Sequence, residues 1–242
     1  MSAILSIRDL KKSFGAVVVA DATSFDVAEG EALGVLGPNG AGKTSLFNLI
    51  TGTLPPDAGQ ITFDGQDVTR TSAAARCKLG IARSFQIPQP FGGMTVFENA
   101  LVGATQGAGL PAAEAEAHAI AVLEETGLLP KANVRAGSLT LLERKRLELA
   151  RALSAKPKLL LLDEIAGGLT DAECVALIDT IKRIHAAGTT IIWIEHVVHA
   201  LLAVVGRLVV IDFGKKIAEG APKEIMESAE VKEIYLGVDP DV

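Results

Sequence analysis

Residues 37–45 read GPNGAGKTS and fit the pattern G-x-x-x-x-G-K-[ST], between a strand-like apolar run and a helical one. Glycines in such a loop let backbone N–H groups turn inward around phosphate oxygens. Lys43 adds a positive charge suited to the β- and γ-phosphates of a nucleoside triphosphate, and the Thr44 hydroxyl is a ligand type for Mg2+. The helix opening near Gly42 presents its positive end to the same anion. The candidate phosphate site is Gly37, Pro38, Asn39, Gly40, Ala41, Gly42, Lys43, Thr44 and Ser45. A second stretch, LLLLDE at 159–164, drives four leucines into two acids. A buried carboxylate without a partner is costly. Asp163 at the end of such a strand has a use if it meets the Mg2+ of a bound triphosphate, which then supplies its partner. Glu164 is then placed to polarise a water for in-line attack on the γ-phosphate.

These residues need a framework. AILSIRDL, AVVVA and TSFDVAEG read as three short strands broken at Gly15 and Gly30, an antiparallel start. EALGVLG is a continuous buried strand, GKTSLFNLI a helix, and ITFDGQ a strand reaching an Asp64-Gly65 turn. ARCKLGIARSF closes a helix and begins another strand. Residues 95–155 are helical in character: Thr95 and Glu98 can form a capping box, AAEAEAHAIAVLEETG ends at Gly127, and ERKRLELARALSA stops before Pro157. LLLLD, a helix opening at Thr170 and Glu173, TTIIWIE, a helix over HVVHALLAVV, RLVVIDF and two short helices complete the chain. The pattern predicts an α/β fold with a mainly parallel core sheet, an antiparallel N-terminal β subdomain and a helical insertion near 90–155.

The chain has 242 residues, 49% hydrophobic and 21% charged, enough for one large α/β domain over 1–242. A net charge of −6 and a pI near 5.3 argue against nucleic acid as a partner. Cys77 and Cys174 make no disulfide framework and suit a reducing cytoplasm. The N-terminus lacks the long apolar stretch of a secretory signal. Mean hydropathy is +0.35, yet the longest apolar runs fall well short of the roughly 18 residues that span a bilayer. The surplus apolarity fits a covered parallel sheet plus a surface that docks on something greasy. No Cys/His metal cluster is present in the sequence pattern.

GPNGAGKTS, LLLLDE, the glutamine of RSFQ and the histidine of WIEH, in that order and spacing, resemble the ATP-binding subunit of ABC transporters across nearly the whole chain. The resemblance implies a P-loop NTPase fold and ATP hydrolysis with Mg2+. It makes Phe14, in KKSFGAVVVA, the aromatic that stacks on adenine. Gln86 becomes the sensor contacting Mg2+ or the attacking water, and His196 the switch histidine facing the γ-phosphate. His196 also stands at the C-terminal end of a strand, where α/β sheets bind ligands; His118, His185 and His199 have no such placement.

The family's signature, normally Leu-Ser-Gly-Gly-Gln, is here Leu139-Thr140-Leu141-Leu142-Glu143. In the family this segment caps the ATP of a partner subunit, so Thr140, Leu141, Leu142 and Glu143 are the expected contacts. Thr140 keeps a hydroxyl, but Leu142 restricts φ and adds bulk where close backbone approach is expected. Ile165 stands for the usual proline and Thr170 for the usual aspartate. A weakened half-site predicts a heterodimer with a second, different ATPase subunit, a homodimer being the alternative. RSFQIPQPFGGMTVFENALVGA and the C-terminal segment resemble the ATPase subunits of branched-chain amino acid importers and their relatives for urea and other small polar solutes. Ile87, Pro88, Phe91 and Met94 then form the groove for a membrane permease subunit, which places the chain at the inner face of the cell membrane. Rival readings are a lipopolysaccharide or lipid exporter ATPase and a non-transport ABC protein. A P-loop GTPase or small-molecule kinase lacks the Asn-Lys-x-Asp guanine motif.

Overall fold

A computed structural model describes residues 3–236. The chain divides into two compact units, one formed by the N-terminal stretch through Ala73 with the stretch from Thr190 onward, the other by Ala74–Thr189.

In the first unit, β1 (Ala3–Phe14) and β2 (Val17–Ala28) form a long antiparallel hairpin, and β1 also pairs with β4 (Ala58–Phe63), which continues to the short β5 (Gln66–Asp67). Alternation along these strands buries Leu5, Ile7, Phe25, Val27, Ile61 and Phe63. AVVVA and TSFDVAEG are one strand rather than two. Ala22 at φ 54 takes up a register slip between the Leu10–Thr23 and Lys12–Ala20 pairs, so the break seen in the sequence is a bulge within β2. The Asp64-Gly65 turn has both residues at positive φ, 49 and 74, as a two-residue hairpin of right-handed twist requires.

The parallel core of this unit places β3 (Ala32–Leu36) between β8 (Thr190–Ile194) and β9 (Arg207–Asp212). All five residues of β3 and of β8 are buried, as strands covered on both faces must be. Helix α1 (Lys43–Thr51) follows β3 and turns Leu46, Phe47, Leu49 and Ile50 inward. A further strand, β10 (Lys215–Gly220), pairs antiparallel with β9. Its polar sequence KKIAEG carries little strand signal, and its lysines suit a sheet edge. The helix expected over HVVHALLAVV is only α7 (Val198–Leu202), and α8 (Pro222–Glu227) and α9 (Ala229–Leu236) follow β10.

In the second unit, α2 (Ala73–Leu79) leads to β6 (Ile81–Ser84), which pairs in parallel with β7 (Leu159–Asp163), Ser84 facing Leu162. Helices α3 (Val96–Val102), α4 (Ala112–Glu125), α5 (Leu141–Ser154) and α6 (Asp171–Ala186) supply the rest of its core. Thr95–Glu98, Thr140–Glu143 and Thr170–Glu173 all form reciprocal capping boxes.

The three capping glutamates are held below the usual carboxylate range. The Thr95 and Thr170 backbone N–H groups are the main cause for Glu98 and Glu173; for Glu143 it is the Lys131 ammonium. A depressed folded-state value contributes stability at neutral pH that is lost as pH falls through the carboxylate range. Thr170→Ala is therefore expected to lower the Tm by about 2–4 °C at pH 7. The deficit shrinks as pH falls through the carboxylate range and the capping carboxylate takes up its proton; thermal melts by circular dichroism at pH 7 and across the acid range check this.

Candidate active site

The strand register puts the phosphate loop where a ligand can be held. Val35 lies beside Ile194 of β8 and Leu36 beside Val210 of β9, so Gly37 leaves β3 level with His196 on one side and Ile211 on the other. All three emerge at the C-terminal strand ends, the side on which α/β sheets bind ligands. Two glycines are demanded by close approach. A Cβ on Gly37 would stand 2.1 Å from the Ile211 carbonyl oxygen, and one on Gly42 (φ 103) 2.3 Å from that of Val19.

Lys43 is 5% exposed, its Nζ donating to the carbonyls of Gly37 at 2.6 Å and Pro38 at 2.9 Å. The ammonium is thus held over the inside of its own loop. Thr44 is exposed at the first turn of α1, whose N-cap, Gly42, offers no side chain to compete for the first N–H groups. Phe14 is 53% exposed and pairs with Val17, two residues before the Val19 that rests on Gly42. The flat face needed for stacking therefore sits on a hairpin tip tied to the phosphate loop, with Lys12 Nζ 5.4 Å from its ring. His196 is exposed, and its backbone N–H donates to the buried Glu195 carboxylate at 3.0 Å.

The second unit carries the acidic pair. Asp163 is 2% exposed, and its Oδ2 accepts from the Arg83 guanidinium at 2.5 Å. The sequence reading gave this carboxylate to a metal ion alone. The structure corrects it: Arg83, on the neighbouring strand, is a protein partner that compensates the buried charge. Arg83 also lies 5.0 Å from the centre of the Phe85 ring. Asp163 Oδ1 is buried without a hydrogen-bond partner among the described residues. A hard carboxylate oxygen left in this way fits Mg2+, which binds through one or two carboxylates plus substrate phosphates rather than a full protein cage. No cluster of three or more His, Cys, Asp or Glu residues able to hold a metal occurs among the described residues.

Glu164 follows in a left-handed backbone conformation, φ 47, and its Oε2 accepts a hydrogen bond from Gln86 Nε2. The structure brings the predicted sensor and the predicted base into direct contact. The loop carrying Gln86 is itself fastened to α5 and α3. Gln89 N–H donates to Glu148 at 2.9 Å, Arg151 donates to the Gln89 carbonyl at 2.9 Å, and Asn99 accepts from Phe91 N–H at 2.9 Å. Burial pushes the Glu148 carboxyl up, against the opposing charge of Arg151. Glu148, Arg151, Asn99 and Arg83 were missed in the sequence; a polar residue within a helical pattern is the signal that could have flagged the first three, and Arg83, on strand β6, had none until its register with β7 was known. Phe85, Ile87 and Phe91 around this loop are 48%, 70% and 45% exposed, while Pro88 and Met94 are half-buried.

Thr140 caps α5, its N–H donating to Glu143 at 2.9 Å. Leu141 and Leu142 are the first two residues of that helix, and neither has positive φ. The glycine-like backbone feared for Leu142 is not needed, since ordinary helical dihedrals suit leucine. The added bulk remains, with Leu141 48% exposed. Ile165 is buried, and Thr170 acts as a helix cap.

Comparison with known proteins decides the family. The family model described as ABC transporter matches residues 20–167, which hold both the phosphate loop and the acidic pair. The chain is an ABC transporter ATPase. A second family model, the branched-chain amino acid ATP-binding cassette transporter, matches residues 215–241, of which those beyond 236 lie outside the described residues. The lipopolysaccharide export ATP-binding protein LptB of Escherichia coli K12 is 34% identical over 98% of both chains. The high-affinity branched-chain amino acid transport ATP-binding protein LivG of Salmonella typhimurium is 35% identical over 97% of this chain and 98% of its own. Among solved structures, the ADP conformation of MJ1267, an ATP-binding cassette of an ABC transporter, has TM-score 0.88 at 31% identity, covering 98% of this chain and 100% of its own. The fold expected from the sequence, a mainly parallel sheet with an antiparallel sheet and helices, is that of this ATPase.

Breaking the Arg83–Asp163 pair tests the buried electrostatics. Arg83→Met leaves a buried carboxylate uncompensated and is expected to cost about 3–5 kcal/mol in urea unfolding. Adding Asp163→Asn removes that charge and recovers part of the loss; additive losses would show that the two do not interact.

Proposed function

We propose that this ATPase powers an importer for branched-chain amino acids or similar small polar solutes, docked at the inner face of the cell membrane on separate permease subunits. The observation that carries the solute class is the match of residues 215–241 to the branched-chain amino acid cassette family, supported by the likeness to LivG over nearly the full chain. The likeness to LptB at similar identity favours a second reading, the ATPase of a lipopolysaccharide or lipid exporter. Among the described residues no helix is long and apolar enough to cross a membrane, and the permease is proposed as a separate chain. The exposed Phe85, Ile87 and Phe91 are the surface proposed to receive it, with Pro88 and Met94 at its edge.

The proposed chemistry assigns the loop N–H groups from Gly37 to Ser45 to the phosphates and Lys43 to the β/γ oxygens. Phe14 stacks on adenine. Thr44, Asp163 and Gln86 would hold a Mg2+ ion, which would supply neutralisation of charge on the phosphates. Glu164 accepts the proton of the attacking water, while the Gln86 amide holds its carboxylate in place. His196 faces the γ-phosphate. Thr140, Leu141, Leu142 and Glu143 meet the nucleotide of a second ATPase subunit. The bulk of the exposed Leu141 supports a heterodimer with unequal sites over a homodimer.

Co-expression with the cognate permease and reconstitution into proteoliposomes tests this reading. Expected is ATP-dependent uptake of labelled leucine or a related polar solute, by a complex that also retains a different ATPase subunit. Glu164→Gln should keep ATP binding and cut turnover by orders of magnitude. Lipid release without uptake would favour the exporter; unchanged turnover in Glu164→Gln would remove it as the base.

A further inference from the structure

The β4–β5 and β9–β10 hairpins turn through the same two-residue geometry but not the same chemistry. Asp64-Gly65 has φ 49 and 74 between the paired Phe63 and Gln66; Phe213-Gly214 has φ 43 and 77 between the paired Asp212 and Lys215. Asp is a favoured residue at the first position of such a turn because it tolerates the left-handed region. A phenylalanine there is strained, and a bulky residue at positive φ is a true outlier. Phe213 gains nothing from packing in exchange, for at 78% exposed it leads the large apolar side chains in exposure among the described residues. A residue that opposes both local backbone preference and burial points to a ligand outside the fold.

Its position names the ligand. Gly214 N–H donates to the Ala41 carbonyl of the phosphate loop at 2.9 Å, and the Gly214 carbonyl accepts from Asp21 N–H at 2.9 Å and from the Thr23 hydroxyl at 2.7 Å. A Cβ on Gly214 would stand 2.9 Å from Ala20 N and from the Val19 carbonyl carbon, so the turn is wedged between β2 and the loop. The β1–β2 tip is seated on the same loop through Val19 and carries Phe14, Val17 and Val18, 53%, 63% and 47% exposed. Two hairpin tips with exposed aromatic rings are thus fastened to one phosphate-binding loop.

We propose that Phe213 is a second aromatic contact for the nucleoside of the bound triphosphate, sharing the base and ribose with Phe14. The proposal rests on the phosphate loop holding that triphosphate. Such a contact recognises a purine by its flat apolar faces, so it acts on the base and not on the phosphates.

The test compares Mg-ATP with Mg-tripolyphosphate, which offers the phosphates without a nucleoside. Phe213→Asn suits the turn, so it should raise the Tm; it should also weaken ATP several-fold and leave tripolyphosphate unchanged. A purely structural role would not move stability and affinity in opposite directions. Phe213→Trp should regain ATP binding and add an exposed indole beside the buried Trp193, the chain's one native tryptophan. Its emission should be quenched by ATP and not by tripolyphosphate. Unchanged ATP affinity in Phe213→Asn, or an emission blind to ATP, overturns the proposal. So does a variant that binds ATP normally and loses association with another ATPase subunit, which would assign the ring to a protein contact. If the wild-type chain binds neither probe, the phosphate-loop reading fails and takes this one with it.

Discussion

A carboxylate buried at the end of the all-leucine strand β7 sets the terms for the second unit. Asp163 is 2% exposed, and an unpaired charge there would be intolerable. Arg83 satisfies one oxygen from the neighbouring strand, which needs β6 and β7 in their observed register. The other oxygen is left without a hydrogen bond. Half-satisfaction suits the proposed magnesium site: the charge is tolerable in the folded chain, and one hard donor is left that a cation would accept. Full satisfaction would stabilise the fold and close the site. The next residue, Glu164, is turned by a left-handed φ into reach of Gln86, so two adjacent acids receive different partners and can do different work.

The first unit answers a different constraint, backbone crowding. Its phosphate loop passes so close to the carbonyls of Ile211 and Val19 that side chains at 37 and 42 would collide with them. That contact fixes the loop against β9 and β2. Rigidity of this kind preorganises an anion site before the anion arrives. The hairpins that crowd the loop also carry the exposed rings of Phe14 and Phe213, so the proposed phosphate and nucleoside contacts share one packing arrangement.

Elements with strong periodicity or a named chemistry were legible in the sequence. The buried strands β3, β7 and β8, the Thr95 and Thr170 capping boxes and the Asp64-Gly65 turn follow from composition and spacing, because local physics decides them; the Thr140–Glu143 box went unread, hidden by the comparison with a glycine-rich pattern. Residues 37–45 and 163–164 were legible because phosphate and metal chemistry leaves few residue choices. What was hidden depends on tertiary pairing. Arg83 reads as a strand residue until its register with β7 is known. Glu148 and Arg151 read as a solvated helix face, yet they hold the Gln89 backbone at both its N–H and its carbonyl. β10 was missed because an edge strand of lysines and glutamate has no apolar alternation, and β2 was cut in two because a bulge looks like a break. Leu141 and Leu142 were judged by a glycine-rich pattern, whereas their backbone is ordinary helix.

The central claim is that Thr44 and Asp163 serve one magnesium–nucleotide complex, although they lie far apart in sequence. A double-mutant cycle on the magnesium dependence of ATP affinity tests it most directly. Calorimetric titration with and without Mg2+ should show a magnesium-dependent gain in the wild-type chain. Thr44→Val and Asp163→Asn should each lose most of that gain, and the double variant should lose no more than either alone. Losses that simply add, or a full gain surviving in Asp163→Asn, would contradict the account.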